Sequence, residues 1–166
     1  MLDTKFEWIF LDIDGVLAPD GRYENWDPQT IEELCCFDKN ALECLQKVLR
    51  KYLNLKIAIS SSWKEQFGYE PVKALFAEDI QARLYGYTPF SEQLDPEWTR
   101  RNEIHAFLRE KGNPYAYWIA VDDLAGHFSY EQFGDQAYIV KSAWLGFTES
   151  DAEALDECLK RGFVNG

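Results

Sequence analysis

Apolar runs and polar breaks alternate along this chain with two different periods. Trp8-Ile9-Phe10-Leu11 is a short run rich in β-forming residues and is followed by the turn pair Asp14-Gly15. Such a run suits a strand buried on both faces. Leu55–Ile59 repeats the pattern and ends at Ser60-Ser61-Ser62, and Tyr117–Val121 repeats it again and ends at Asp122-Asp123. Leu84-Tyr85-Gly86 reads as a weaker strand and Ala137–Val140 as the last one. Other stretches carry the helical period. Leu42, Leu45, Val48, Leu49 and Tyr52 recur behind Asp38, which is placed to cap a helix. Ile104, Phe107 and Leu108 mark a helix from Thr99 that stops at Gly112-Asn113-Pro114. Ala152, Leu155, Cys158 and Leu159 stripe a closing helix behind Thr148-x-x-Asp151, a loose capping box. Two short helices are also expected. One is capped by Asp27 with Pro28 at its first position, and the other spans Val72–Ala77 with Pro71 at its start. Pro89–Glu97 reads as a loop.

Strands that alternate with helices predict an α/β fold with a central, mostly parallel sheet. Residues 1–166 read as one domain, without internal repeat, low-complexity tract or linker.

Charge narrows the partners. The chain has 17 basic and 29 acidic residues, a net charge of −12. That argues against a broad basic footprint for nucleic acid or anionic membrane, and leaves a local anion site open. No apolar run approaches the roughly 18–20 residues of a membrane span. The start Met1-Leu2-Asp3-Thr4-Lys5 lacks the pattern of a signal peptide. A cytoplasmic location is therefore expected, with Cys35, Cys36, Cys44 and Cys158 as reduced thiols. Cys44 and Cys158 fall on helix faces as small core residues.

Three buried strands end in polar groups: Asp12 and Asp14, then Ser60 to Ser62, then Asp122 and Asp123. In a parallel sheet the carboxyl ends of the strands line one crevice, so these groups converge. Carboxylates this close repel unless a cation sits among them, and a hard cation such as Mg²⁺ suits oxygen ligands. A carboxylate can attack phosphorus, with hydroxyls and a cation such as Arg101 stabilising the transferring group. Trp63, Trp26 and Phe90 fall near the predicted mouth, where a base could stack, although packing is the commoner role. His127 lies four residues after Asp123, which leaves a rim position open, although a surface histidine without a role is the commoner case.

These residues resemble a known family. Asp12-Ile13-Asp14-Gly15-Val16 resembles the DxDG(V/T) signature of the haloacid dehalogenase-like (HAD) superfamily. Ile57–Ser60, Arg100-Arg101 and Val121–Asp123 resemble its second, third and fourth motifs, in the right order. FLDIDGVLAPDG, the Phe37-Asp38 helix start, ISSSWK, GYTP, RNEI, WIAVDD and GFT are similar to the HAD domain of "Swiss Army Knife" RNA repair proteins. The resemblance covers nearly the whole chain. It implies a three-layer Rossmann-like fold with little or no cap domain, since short segments separate the motifs.

It also implies roles. Asp12 would be nucleophile and metal ligand. Asp14 would be acid and base, with its backbone carbonyl on the metal. Ser60, Ser61 and Arg101, or less readily Arg100, would bind phosphate. Asp123 would complete the Mg²⁺ site, with Asp122 as ligand or support. Asp14 favours phosphatase over dehalogenase chemistry. The expectation is a Mg²⁺-dependent phosphomonoesterase working through an aspartyl-phosphate, with polynucleotide ends or nucleotides as candidate substrates. A small-metabolite phosphatase and a non-catalytic HAD-like interaction module are the alternatives. Lys64 stands where the RNA-repair relatives typically carry Arg.

Overall fold

Among the residues that the structure describes, the strands are β1 (Trp8–Leu11), β2 (Lys56–Ile59), β3 (Leu84–Tyr87), β4 (Trp118–Asp122) and β5 (Ala137–Ile139). The computed structural model describes residues 2–90, 99–128 and 136–162. Among these the helices are α1 (Ile31–Leu34), α2 (Lys39–Leu49), α3 (Tyr69–Lys73), α4 (Glu78–Gln81), α5 (Thr99–Glu110) and α6 (Glu149–Arg161). All strand pairs are parallel, and the order is β3-β2-β1-β4-β5. β1 is buried along its whole length because both of its faces are covered.

Side chains along a strand still point to alternate faces, and the core divides accordingly. Ile9, Leu11, Ile57, Ile59, Ile119 and Val121 pack with Leu45, Val48 and Leu49 of α2 and with Leu155 and Leu159 of α6. Trp8, Phe10, Ala58, Trp118 and Ala120 pack with Ile104, Phe107 and Leu108 of α5. The result is the expected three-layer, Rossmann-like sandwich. Register explains its small residues. Phe10 lies opposite Ala58 on β2 and Ala120 on β4, which leaves its ring room to meet Phe107 edge-on at 5.6 Å. Truncating such a buried ring costs about 3–5 kcal/mol.

Caps fix where the helices begin. Asp38 Oδ1 accepts the Ala41 N–H at 2.8 Å, and Thr148 with Asp151 closes a full capping box. Two expectations are corrected. α1 is capped by Thr30, with Glu33 reciprocating, rather than by Asp27. α3 begins at Tyr69 rather than Val72, which places Pro71 inside its first turn, where a missing N–H is tolerated. Cys44 and Cys158 are buried in the core as expected. Most of the expected Pro89–Glu97 loop lies outside the described residues. Between β1 and β2 the described elements are a short 3₁₀ turn, α1 and α2, and α2 belongs to the core layer, so no cap lobe forms there. Among the described residues no helix is long and apolar enough to cross a membrane.

Candidate active site

The carboxyl ends of β1, β2 and β4 bring the acidic and hydroxyl groups together. The Asp12 N–H bonds to Val121 O at 2.9 Å and the Ser60 N–H to Leu11 O at 2.8 Å, so the sheet ladder carries on past the strands into the site. One carboxylate oxygen from each of Asp12, Asp122 and Asp123 falls within 4.8 Å of the others. Gly15 permits this approach. Its φ is +70°, and a Cβ there would lie 2.6 Å from Asp123 Oδ2.

Arg100, at the start of α5, supplies the positive charge. Its Nη1 lies 3.1 Å from Asp12 Oδ1 and 3.0 Å from Asp122 Oδ2, and it also donates to the Ser60 carbonyl. The family resemblance puts Arg101 first for this position, yet Arg100 is the residue found against these groups. A signal for this was present. Arg100, Ile104 and Phe107 stand at i, i+4 and i+7, so Arg100 extends the buried stripe of α5. His127, which the sequence offers for the rim but reads more readily as a surface residue without a role, also reaches the site. Its Nδ1 lies 3.1 Å from Asp122 Oδ1, which also accepts the Leu124 N–H at 2.9 Å. No periodicity marks a residue in such a turn.

The three carboxyls differ in charge environment. Burial pushes Asp12 well above the ordinary aspartate range. Arg100 opposes this, Asp122 and Asp123 add to it, and the Ile13 N–H opposes it at 2.8 Å. Burial likewise raises Asp123. Burial also acts upward on Asp122, but the His127 hydrogen bond and Arg100 outweigh it and hold that carboxyl below its usual value. One guanidinium and one imidazole therefore face three carboxylates.

The hydroxyls divide their work. Ser60 Oγ is buried with no hydrogen-bond partner among the described residues. Ser61 Oγ accepts the Trp63 N–H at 3.2 Å and caps the 3₁₀ turn Ser62–Glu65. That cap turns Trp63 inward. It is 5% exposed, and its indole Nε1 donates to Asp14 Oδ1 at 2.9 Å. The Asp14 carboxylate is thus held by Trp63 and is not one of the three clustered carboxylates. Phe90 is 56% exposed and Trp26 is half-buried. Lys64 forms a buried pair with Glu103 at 2.9 Å and donates to Pro89 O, also at 2.9 Å. Burial lowers its amine despite Glu103. A single lysine in a polar loop gives no sequence signal of such burial.

Neither a curated protein nor a solved structure matches the chain. A family model described as the HAD domain in Swiss Army Knife RNA repair proteins does match. It spans residues 8–152, which include the five described strands and every group of the cluster, and the chain belongs to that family.

Proposed function

We propose that this chain is a Mg²⁺-dependent phosphomonoesterase that carries the phosphoryl group on Asp12. Family membership supports the reaction class, since HAD domains are in general hydrolases of the phosphatase type. The finer reading is carried by one observation: Asp12 clusters with Asp122 and Asp123 and pairs with Arg100, which also donates to the carbonyl of Ser60, a residue whose hydroxyl has no hydrogen-bond partner among the described residues.

The donor set fits a hard cation. Three clustered carboxylates with too little opposing charge favour an ion that takes oxygen ligands. Asp12, Asp123 and the Asp14 backbone carbonyl would hold Mg²⁺. Asp122 would brace the set, because its oxygens already serve Leu124, His127 and Arg100. When bound, the ion supplies positive charge to the phosphoryl oxygens and favours ionised Asp12.

The chain's own groups then do the following. An Asp12 oxygen attacks phosphorus, the bond to the leaving oxygen breaks, and Asp14 gives that oxygen a proton. Asp14 next takes a proton from water. The water oxygen attacks phosphorus, the acyl-phosphate P–O bond breaks, and Asp12 and inorganic phosphate are released. Ser60 Oγ donates to a phosphoryl oxygen, and Arg100 balances its charge. Ser61 Oγ accepts the Trp63 N–H, which leaves its O–H able to donate to a phosphoryl oxygen beside Ser60.

Polynucleotide ends and nucleotides are the first substrates to test, on the strength of the family description. The net charge of −12 favours small phosphoesters as the second class. Purified protein with Mg²⁺ should be given 3′- and 5′-phosphorylated oligonucleotides, nucleotides, sugar phosphates and phosphopeptides, beside Asp12→Asn and an EDTA control. Expected are phosphate release by the wild type, loss with EDTA, and near-total loss in the variant. Equal rates in wild type and variant would rule out the covalent mechanism. No turnover on any member would favour a binding module.

A further inference from the structure

Asp14 lines a pocket of about 220 Å³ together with Tyr23, Leu34, Trp63, Glu65 and Phe67. Building on the phosphatase reading and narrowing it, we infer that this pocket receives the leaving group, and that the leaving group is an uncharged alcohol bearing a planar ring. An acid that protonates the leaving oxygen must lie within hydrogen-bond reach of it. Whatever hangs from that oxygen occupies the space beside Asp14, and this pocket is a space that Asp14 lines.

Its walls set the chemistry. Trp63 and Phe67 form a buried aromatic floor, with 4.8 Å between ring centroids. Tyr23 and Leu34 are 44% and 36% exposed and offer apolar surface to a ring. Tyr23 is already braced. Arg22 Nη2 donates to its hydroxyl at 3.0 Å, the Arg22 guanidinium lies 4.8 Å over its ring, and Trp26 adjoins it at 5.3 Å. A ring docking there meets an ordered aromatic wall.

Charge excludes a second phosphate. The carboxylates of the pocket are Asp14 and Glu65. Among the described residues, which include every lysine and arginine of the chain, no cation lines it. Arg22 is turned to the Cys36 and Leu34 carbonyls, at 2.6 and 3.4 Å. The volume lies below the usual range for small-molecule sites, so it takes one ring system rather than a run of nucleotides.

Matched esters test this. 2-Phenylethyl phosphate and ethyl phosphate share their leaving-group chemistry and differ in the ring. AMP and adenosine 3′,5′-bisphosphate differ in the second phosphate. The ring ester should exceed ethyl phosphate in kcat/KM by about tenfold, in line with base–aromatic stacking. In Tyr23→Ala that ratio should fall to about twofold. AMP should exceed the bisphosphate, and Glu65→Lys should narrow the gap. Equal use of the two alkyl esters by an active wild type, or a ring preference unchanged in Tyr23→Ala, would overturn the pocket assignment and leave the phosphatase reading standing. If no ester is turned over, the phosphatase reading fails. Saturation-transfer NMR with adenosine then decides the pocket: binding weakened by Tyr23→Ala supports it, and absent binding overturns it.

Discussion

Trp63 Nε1 donates a 2.9 Å hydrogen bond to Asp14 Oδ1 and so ties the turn after β2 to the turn after β1. The indole packs against Phe37 and Phe67, with centroids at 5.8 and 4.8 Å. The core thus fixes the donor, and the donor fixes the carboxylate proposed as acid and base. Trp63→Phe keeps most of the apolar volume and loses the N–H. On an alkyl phosphate, whose leaving oxygen needs a proton, kcat/KM should fall about 10- to 100-fold. On p-nitrophenyl phosphate, whose leaving group needs none, the fall should be about threefold or less. Steady-state kinetics on the two esters measure the difference, and equal losses would count against a positioning role.

Arg100 and Arg101 should separate sharply. Adjacent helix positions diverge by about 100°, so a helix that aims Arg100 at Asp12 and Asp122 aims its neighbour elsewhere. Arg100→Ala leaves buried carboxylates short of positive charge, and kcat should drop by about 100-fold or more. Arg101→Ala should stay within about threefold of wild type. Phosphate-release assays at saturating substrate check both variants, and the reverse order would reassign the phosphate-facing cation.

The sheet and the cluster were legible because a strand buried on both faces leaves an uninterrupted apolar run, and its end is the first polar residue. Asp12, Ser60 and Asp122 each stand at such an end. Cap chemistry located α2 and α6, since Asp38 and Thr148 precede clear helical stripes. Short helices were harder. α1 and α3 are one turn or little more, too short for a period to outweigh a nearby proline. Orientation was the other gap. Which of two arginines faces inward depends on how α5 rolls onto Phe10 and Trp118, and Trp63 faces inward because Ser61 caps its turn. His127 reaches Asp122 through the geometry of one turn, which no spacing rule encodes.

Gly15→Ala should damage stability and site together. Alanine pays about 1–2 kcal/mol for a left-handed φ. Its Cβ would also press on the Asp123 side chain, with Oδ2 at 2.6 Å and Cβ at 2.7 Å. Thermal unfolding should show a total loss of about 2 kcal/mol or more. At temperatures where the variant is still folded, phosphatase activity should fall further than the folded fraction does, because Asp123 is displaced from Asp12. Activity that tracks the folded fraction alone would show that the turn, rather than Asp123, is what the glycine protects.

Asp156 gives a pH signature remote from the site. Its carboxylate accepts from Tyr52 Oη at 2.7 Å and lies 3.0 Å from Lys51 Nζ and 2.9 Å from Lys160 Nζ. Burial acts to raise it, but the hydrogen bonds from Tyr52, Lys160 and Lys51 prevail and bring it from 3.8 down to about 2. The folded state therefore binds this proton less tightly than the unfolded chain does. The stabilisation is fully present above pH 3.8 and is lost as pH falls through about 2. Both lysines are partly exposed, so solvent screening reduces the contribution to about 1 kcal/mol. Asp156→Asn keeps the shape and an acceptor for Tyr52 while removing the charge. Denaturant unfolding of wild type and variant should differ by about 1 kcal/mol near neutrality, and the two curves should converge in strong acid. A difference that persists unchanged there would assign the effect to packing rather than to the ionised carboxylate.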